Sequence, residues 1–413
     1  MRVLRPTDVT VPDDVFRQLS SATSGGLVCP QLQHLAWTSS YGWEHMRRFF
    51  SPYLISVLLL QQGKMQPNTE LALACTISLL PTECLEELDL DIPGQPSALI
   101  HSALSDTVRR LSPHFKRLTT RYSLSEAAWA HLASLPKLGS FGVSGTPPTG
   151  ISKSVSNENA FPALECMKIE VDNARQHWSS LFSLLGSSPL QEVCIMARRR
   201  IPGVDVPGQV TIAALKAELQ QSVDGLLFYG FDPANITFLS HLRPFRSLKS
   251  LKCVTWCRWP GQCVSPLTDL DIEQLSSGLP QLATLWLGHE CNYAPHNTTI
   301  KSMISLSTHC LSLGTLCLPC NLANISEDVN TESGEPDPRL KIRSPCVLRF
   351  IAFRWITMPL PDDLGTLKIV ASAFHHLFPL LWPRYEIAGP AWKTTLDMIK
   401  DFGRGNLDTA DAM

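Results

Sequence analysis

One arrangement, Pro-x-Leu-x-x-Leu-x-Leu, keeps returning along this chain, and it restricts the possible folds more than any other feature. In "LPQLATLWLGHEC" (279–291), Pro280 is followed by Leu282, Leu285 and Leu287. With apolar substitutes allowed, the same template gives Leu32, Leu35 and Trp37, then Leu54, Val57 and Leu59, then Leu85, Leu88 and Leu90. Phe115 and Leu118 follow with a polar exception, Thr120, and then come Leu138, Phe141 and Val143, Leu164, Met167 and Ile169, and Leu190, Val193 and Ile195. A weaker copy in "GLLFYGF" is assigned Leu226, Tyr229 and Phe231; Leu248, Leu251 and Cys253, Leu313, Leu316 and Leu318, and Leu348, Ile351 and Phe353 complete the series.

Successive anchors lie about 22 to 36 residues apart, near the spacing of leucine-rich repeats, and Asn321 stands where that template places its Asn or Cys. Between the copies run amphipathic segments that read as helices: 68–80, 96–111, 123–135 and 268–279. Ser123 with Glu126 has the spacing of a capping box, and Thr268 or Asp269 is placed to cap the last of these helices. A short strand followed by a helix, repeated without hairpin turns, requires parallel strands and right-handed crossovers. No unit can bury its apolar edge alone, so each stacks on its neighbours. The expected fold is α/β, a leucine-rich-repeat solenoid: a curved stack of about 11–12 irregular repeats, each a short parallel strand and a helix. A doubly wound α/β enzyme would instead show longer β-branched strands and a Gly-rich phosphate loop. The expected divisions are a lead-in over 1–28, the solenoid over 29–388, and a capping helix and tail over 389–413. Disordered insertions are expected at 144–160 and 324–345, which lack apolar periodicity.

The 413 residues are 44% hydrophobic and 17% charged, an ordinary globular composition. A formal net charge of −2 supplies no global attraction to nucleic acid or anionic membrane. The longest apolar runs, such as "LISVLLL" at 54–60, are far short of a bilayer span. The N-terminus reaches Pro6 and Asp8 before any apolar signal-peptide core forms. The expected location is therefore the cytoplasm, the nucleus or both, with 13 cysteines read as reduced.

Strand side chains alternate, so the second, fourth and sixth places after each anchor face away from the core, onto the concave surface. One copy turns Glu87, Asp89 and Asp91 outward, and the next turns out Arg117, Thr119 and Arg121. Stacked in register, Glu87 should lie beside Arg117 and Asp91 beside Arg121, either as an ion-pair ladder or as a charged recognition patch. The same rule exposes Lys168, Phe228, Trp286 and Arg354. Trp286 leads the candidates for contact with a protein partner, because exposed Trp and Arg carry much of the binding energy at interfaces.

Cys253, Cys257 and Cys263, and then Cys317 and Cys320, have tempting metal spacings but no second paired motif, so no metal is expected. No cofactor is expected either, since phosphate loops, dinucleotide fingerprints and Gly-x-Ser-x-Gly elbows are absent from the sequence. The sequence thus reads as non-enzymatic. Arg198, Arg199 and Arg200 lack interleaved aromatics and do not suggest nucleic-acid binding.

"VFRQLSSATSGGLVCPQLQHLAW" with "FFSPYLISVLLL", and later "LTDLDIEQLSSGLPQLATLWLG" and "TIKSMISLSTHCLSLGTLCLP", resemble repeats of the basidiomycete F-box proteins with leucine-rich repeats. "VASAFHHLFPLL", "WPRYEI" and "AWKTTLDMIKDF" resemble that family's closing elements. The resemblance implies the substrate-binding part of a ubiquitin-ligase subunit, whose F-box would dock a Skp-type adaptor and cullin. Here about 28 residues precede the first repeat, against an F-box of roughly 45. The chain is thus expected to be a shortened gene product, a splice form or a relative without that module. "VPDDVFRQL" (11–19) and "LPDDLGTLKIVASAF" (360–374) imitate an F-box opening, although both fit a repeat helix better. The alternative is an adaptor-independent repeat protein with a structural or regulatory role.

Overall fold

The computed structural model describes residues 3–4, 13–23, 26–38, 43–61, 67–92, 97–144, 160–171, 181, 184–185, 188–197, 223–231, 242, 245–255, 267–289, 297–318, 320–321, 350–351, 364–378, 394–395, 397–399 and 401. The chain divides into two compact units, Met1–Val193 and Cys194–Met413.

The first unit runs β1 (Val3–Leu4), α1 (Asp13–Ala22), β2 (His34–Thr38), α2 (Trp43–Met46), β3 (Ser56–Leu60), α3 (Pro67–Ser78), β4 (Glu87–Asp91), α4 (Ala98–Arg109), β5 (Arg117–Thr120), α5 (Glu126–Ser134), β6 (Ser140–Ser144) and β7 (Cys166–Val171). These strands pair in chain order and all in parallel. Strand β8 (Glu192–Ala197) crosses the boundary between the units. The second unit contains β9 (Gly225–Phe231), β10 (Ser250–Thr255), α6 (Asp269–Gly278), β11 (Thr284–His289), α7 (Ile300–His309), β12 (Thr315–Cys317), β13 (Phe350–Ile351) and α8 (Leu364–Leu377). Its strands β9 to β13 are likewise parallel and sequential. Each unit is therefore a leucine-rich-repeat solenoid. Within the stretch expected as a lead-in, Val3–Leu4 pairs in parallel with β2, and Asp13–Ala22 forms a helix.

The recurrent Pro-x-Leu has a local cause. Before many of the anchors the chain makes a tight turn in which the anchor's N–H bonds the carbonyl three residues back, as in Leu32 to Cys29, Leu54 to Ser51, Phe115 to Ser112, Leu164 to Phe161 and Leu282 to Leu279. Pro30, Pro52, Pro113, Pro162 and Pro280 all take the second position, where a φ fixed near −65° favours the turn. Phe161, the first residue of one such turn, has φ 54°, unusual for a side chain of its size. Its N–H donates to the Ala133 carbonyl at 2.7 Å, and its ring is fully buried.

A second device ties each repeat to the one before. The N–H groups of two consecutive residues at the strand entrance bond a single carbonyl: Ile55 and Ser56 to Gln33, Glu86 and Glu87 to Ile55, Lys116 and Arg117 to Glu86, Gly139 and Ser140 to Lys116, and Glu165 and Cys166 to Gly139. The second unit repeats it from Asp224 to Lys249 and Ser250, and on through Ala283 and Gly314. Each strand is thereby set in register by its predecessor before the ladder begins.

The template leucines form the core as expected: Leu35, Val57, Leu88, Leu118, Phe141 and Met167 form one buried row, and Trp37, Leu59, Leu90, Thr120, Val143 and Ile169 another. Thr120 is tolerated because its hydroxyl accepts the N–H of Tyr122 at 3.1 Å. One copy needs correction. Val223, Leu226 and Phe228 are all buried, and Leu226 and Phe228 pair with Leu251 and Cys253. The anchor is thus Val223, three residues before the one assigned from "GLLFYGF", and Phe228 belongs to the core.

Helices α3, α4 and α5 are fastened by side chains that complete their neighbours' backbone bonding. Thr76 Oγ1 donates to the Trp43 carbonyl, Thr107 Oγ1 to that of Ile77, and Ser105 Oγ accepts the N–H of Ser125. Ser125 caps α5 by accepting from Ala128, so the box expected from Ser123 and Glu126 is displaced by two residues. Thr268 forms a capping box with Asp271 on α6. Asp269 caps the following helix instead of its own: its carboxylate accepts the N–H and hydroxyl of both Thr299 and Ser302.

Candidate protein-recognition face

The sheet face turned away from the buried leucines presents three rows in the first unit. The first is His34, Ser56, Glu87, Arg117, Ser140 and Cys166; the second is Ala36, Leu58, Asp89, Thr119, Gly142 and Lys168. The third includes Thr38, Leu60 and Asp91, with Arg121 just past the end of β5. The two expected ion pairs form. Arg117 Nη2 lies 3.7 Å from Glu87 Oε1, and Arg121 Nε lies 2.7 Å from Asp91 Oδ1. Ser56 Oγ also donates to Glu87 Oε2 at 3.3 Å, and Lys116 pairs with Glu86 at 2.7 Å at the strand entrance. These side chains are about half exposed, so each pair contributes about 0–1 kcal/mol.

Asp89 differs from its neighbours. It forms no ion pair or hydrogen bond among the described residues, and its carboxyl is held above the usual aspartate range, first by burial and then by the Asp91 charge. Lys168, Arg117 and Arg121 pull in the opposite direction without cancelling that effect. Lys168 is exposed and likewise unpaired among the described residues. Leu58 and Leu60 are half-buried beside the acidic pair of β4. The same alternation that exposes Glu87 turns both of them to this face, where the absence of charge makes them inconspicuous in the sequence. Glu170, which alternation also turns to this face, is buried, as no local feature of the sequence foretold.

In the second unit Trp286 lies between the buried Leu285 and Leu287, on the face expected, and is half-buried. Its register neighbours are Lys252, which is exposed, and Cys317, which is buried. Phe228 leaves the candidate set, since the corrected anchor turns it inward. Arg354 and Arg198 to Arg200 lie outside the described residues, as do Cys257, Cys263, the stretch 324–345 and nearly all of 144–160.

Burial pushes the Cys317 thiol up to about 12. At pH 8 only about one molecule in ten thousand then carries the thiolate, the form that binds metals and attacks alkylating agents. Iodoacetamide at pH 8 should therefore modify the exposed Cys75 and Cys84 and spare Cys317 in the native protein, as peptide mass mapping would show. Native-state labelling of Cys317 at the rate of Cys75 would contradict the burial. Among the described residues no group of three or more His, Cys, Asp or Glu side chains comes together as a metal site. None of the described helices is long and apolar enough to cross a membrane.

The F-box look-alikes fall on helices. The part of the first that is described lies in α1. The second enters α8, where Leu367, Val370, Ala371 and Phe374 are buried. That face is occupied by the protein's own core.

No protein-family model and no curated protein matches the chain. Among solved structures it is similar to a chain in the crystal structure of the Rad7 and Elc1 complex in yeast, with 16% identity and a TM-score of 0.38. The match covers 82% of this chain and 75% of that one.

Proposed function

We propose that this protein is a non-enzymatic recognition scaffold that holds a protein partner on the open face of its parallel sheet. The observation that supports this reading is the face of β3 to β7, where half-buried leucines stand beside a mixed set of partly exposed carboxylates and cations. Such a surface combines apolar contact with charge complementarity, which contributes more to specificity than to affinity. In the terms of the resemblance, this is the substrate-binding part of an F-box ubiquitin-ligase subunit, acting in the cytoplasm or nucleus. Solenoids host many functions, so the ligase role depends on adaptor contact.

Two measurements test the reading. A photo-crosslinking residue at Thr119, on the open face, should capture a discrete protein partner that the same residue at Ser102, on the exposed side of α4, does not. Equal capture from both positions would overturn the open-face reading. A pull-down with a Skp-type adaptor and cullin, from Met1 and from any in-frame upstream start, then separates the ligase role from an adaptor-independent scaffold.

A further inference from the structure

We infer that Asp89, Thr119, Gly142 and Lys168 form a binding row for an extended peptide segment that lies across β4 to β7, setting a basic side chain against Asp89 and an acidic one against Lys168. The inference rests on the open face being the partner surface, and it assigns the chemistry that face selects.

The charges of this face are not equivalent. Glu87 and Asp91 are already matched by Arg117 and Arg121. Asp89 and Lys168 share one row, with opposite signs, and neither has an ion pair or hydrogen bond among the described residues. Three strand steps of about 4.8 Å separate their backbones, roughly 14 Å in all. What stands between them is small. A Cβ at Gly142 would lie 3.1 Å from Thr119 Cγ2 and 3.5 Å from Lys168 Cβ, so a side chain there would crowd its neighbours and stand above the bare backbone that glycine presents. The row thus carries a carboxylate on β4 and an ammonium on a β7 stem, with threonine and bare backbone between them, and that ammonium is the cation acting most on Asp89. Half-buried Leu58, the register neighbour on the far side of Asp89, walls the acidic end with apolar surface.

An extended segment advances about 3.4 Å per residue and returns to the same face every second residue. Partner side chains two residues apart span about 7 Å, and four apart about 14 Å. Only even spacing lets both charges point toward the row. The long Lys168 stem can lean over Gly142, which accommodates either spacing. Burial and the Asp91 charge both disfavour the ionised Asp89, so an incoming cation gains more here than at the neighbouring, already matched carboxylates.

The test is selection of linear nine-residue phage-displayed peptides on the intact chain, followed by titration of the synthetic winners against variants. Selected peptides should carry Lys or Arg and Asp or Glu at even spacing. Asp89→Asn and Lys168→Gln should each weaken binding about tenfold. Gly142→Val should obstruct the row, and Asp89→Lys should accept a peptide whose basic residue is replaced by Glu. Both charge-neutral variants are near-isosteric at solvent-accessible positions, and circular dichroism checks that they fold. Peptides blocked by Thr119→Arg yet indifferent to Asp89→Asn and Lys168→Gln would overturn this inference and leave the open face as the binding surface. If no selected peptide is blocked by Thr119→Arg, both readings fall.

Discussion

Phe141→Ala should destabilise the first unit by about 3–5 kcal/mol, the cost of removing a large ring from a packed core. Phe141 is fully buried in β6, between Leu118 and Met167 in register. Its ring meets Trp129 of α5 edge-on, with centroids 4.9 Å apart and planes at 86°, and lies nearly parallel to Phe161 at 6.3 Å and 17°. One side chain therefore joins sheet, helix and the turn whose first residue holds a positive φ. The cavity left by alanine has little chance to close, because the flanking strands are fixed by the shared-carbonyl bonds at their entrances. For a unit of this size the thermal midpoint should fall by roughly 10 °C, while Phe141→Leu, which retains most of the volume, should cost much less. Scanning calorimetry measures both. A loss below about 1 kcal/mol for the alanine variant would mean that the core there is not packed as described.

Asp269→Ala should cost about 2–3 kcal/mol, most of it in the second unit. Oδ1 accepts from the Thr299 N–H at 2.7 Å, the Ser302 N–H at 3.1 Å and the Ser302 hydroxyl at 2.5 Å, and Oδ2 accepts from the Thr299 hydroxyl at 2.8 Å. Two of these donors are backbone groups at the start of α7: the N–H of the N-cap residue Thr299, which precedes the helix's own ladder, and the N–H of Ser302, which is shared with the Thr299 carbonyl at 3.1 Å. A carboxylate there also meets the positive end of the helix dipole. Alanine leaves the Thr299 N–H without its acceptor, weakens the bonding of the Ser302 N–H, and removes the link between successive repeats. Asp269→Asn keeps one acceptor oxygen for the two N–H groups and should lose about half as much. Amide hydrogen exchange at Ser302 and Met303 should accelerate in the alanine variant. If asparagine proves as damaging as alanine, the negative charge matters more than the bonding pattern, and if neither has an effect, the cap is dispensable.

The repeat was legible because turn, anchor and alternation all point the same way at most copies: a proline opens the turn, and leucines fall three and then two residues later. It failed at "GLLFYGF", where apolar residues occupy consecutive positions and two anchor choices satisfy the template. Only the neighbouring strand decides between them, through the pairing of Leu226 and Phe228 with Leu251 and Cys253. The displaced cap of α5 has a similar origin. Ser123 and Ser125 are both suitable caps by composition, and the bond from the Ser125 N–H to Ser105, a contact between repeats, favours the second.

The charged pairs of the candidate face followed from alternation and register, both local rules. Cys317 and Glu170 show where those rules stop. Both are turned outward by alternation, yet both are buried, and what covers a residue depends on parts of the chain distant in sequence. Gly142 is a different omission. A glycine in a strand carries no chemical label, and it becomes informative only once Thr119 and Lys168 are known to flank it.

The shared-carbonyl link bears on how such a chain can change over generations. Because each strand takes its register from one oxygen of the preceding repeat, the connecting segment is relieved of that duty and is free to vary in length, as the uneven anchor spacing shows. Gain or loss of a whole repeat would splice one such link to another, lengthening or shortening the platform without redesigning its interior. Selection can then act on the outward residues almost independently of the buried ones. A chain built this way can exchange a few outward side chains on a frame that stays the same.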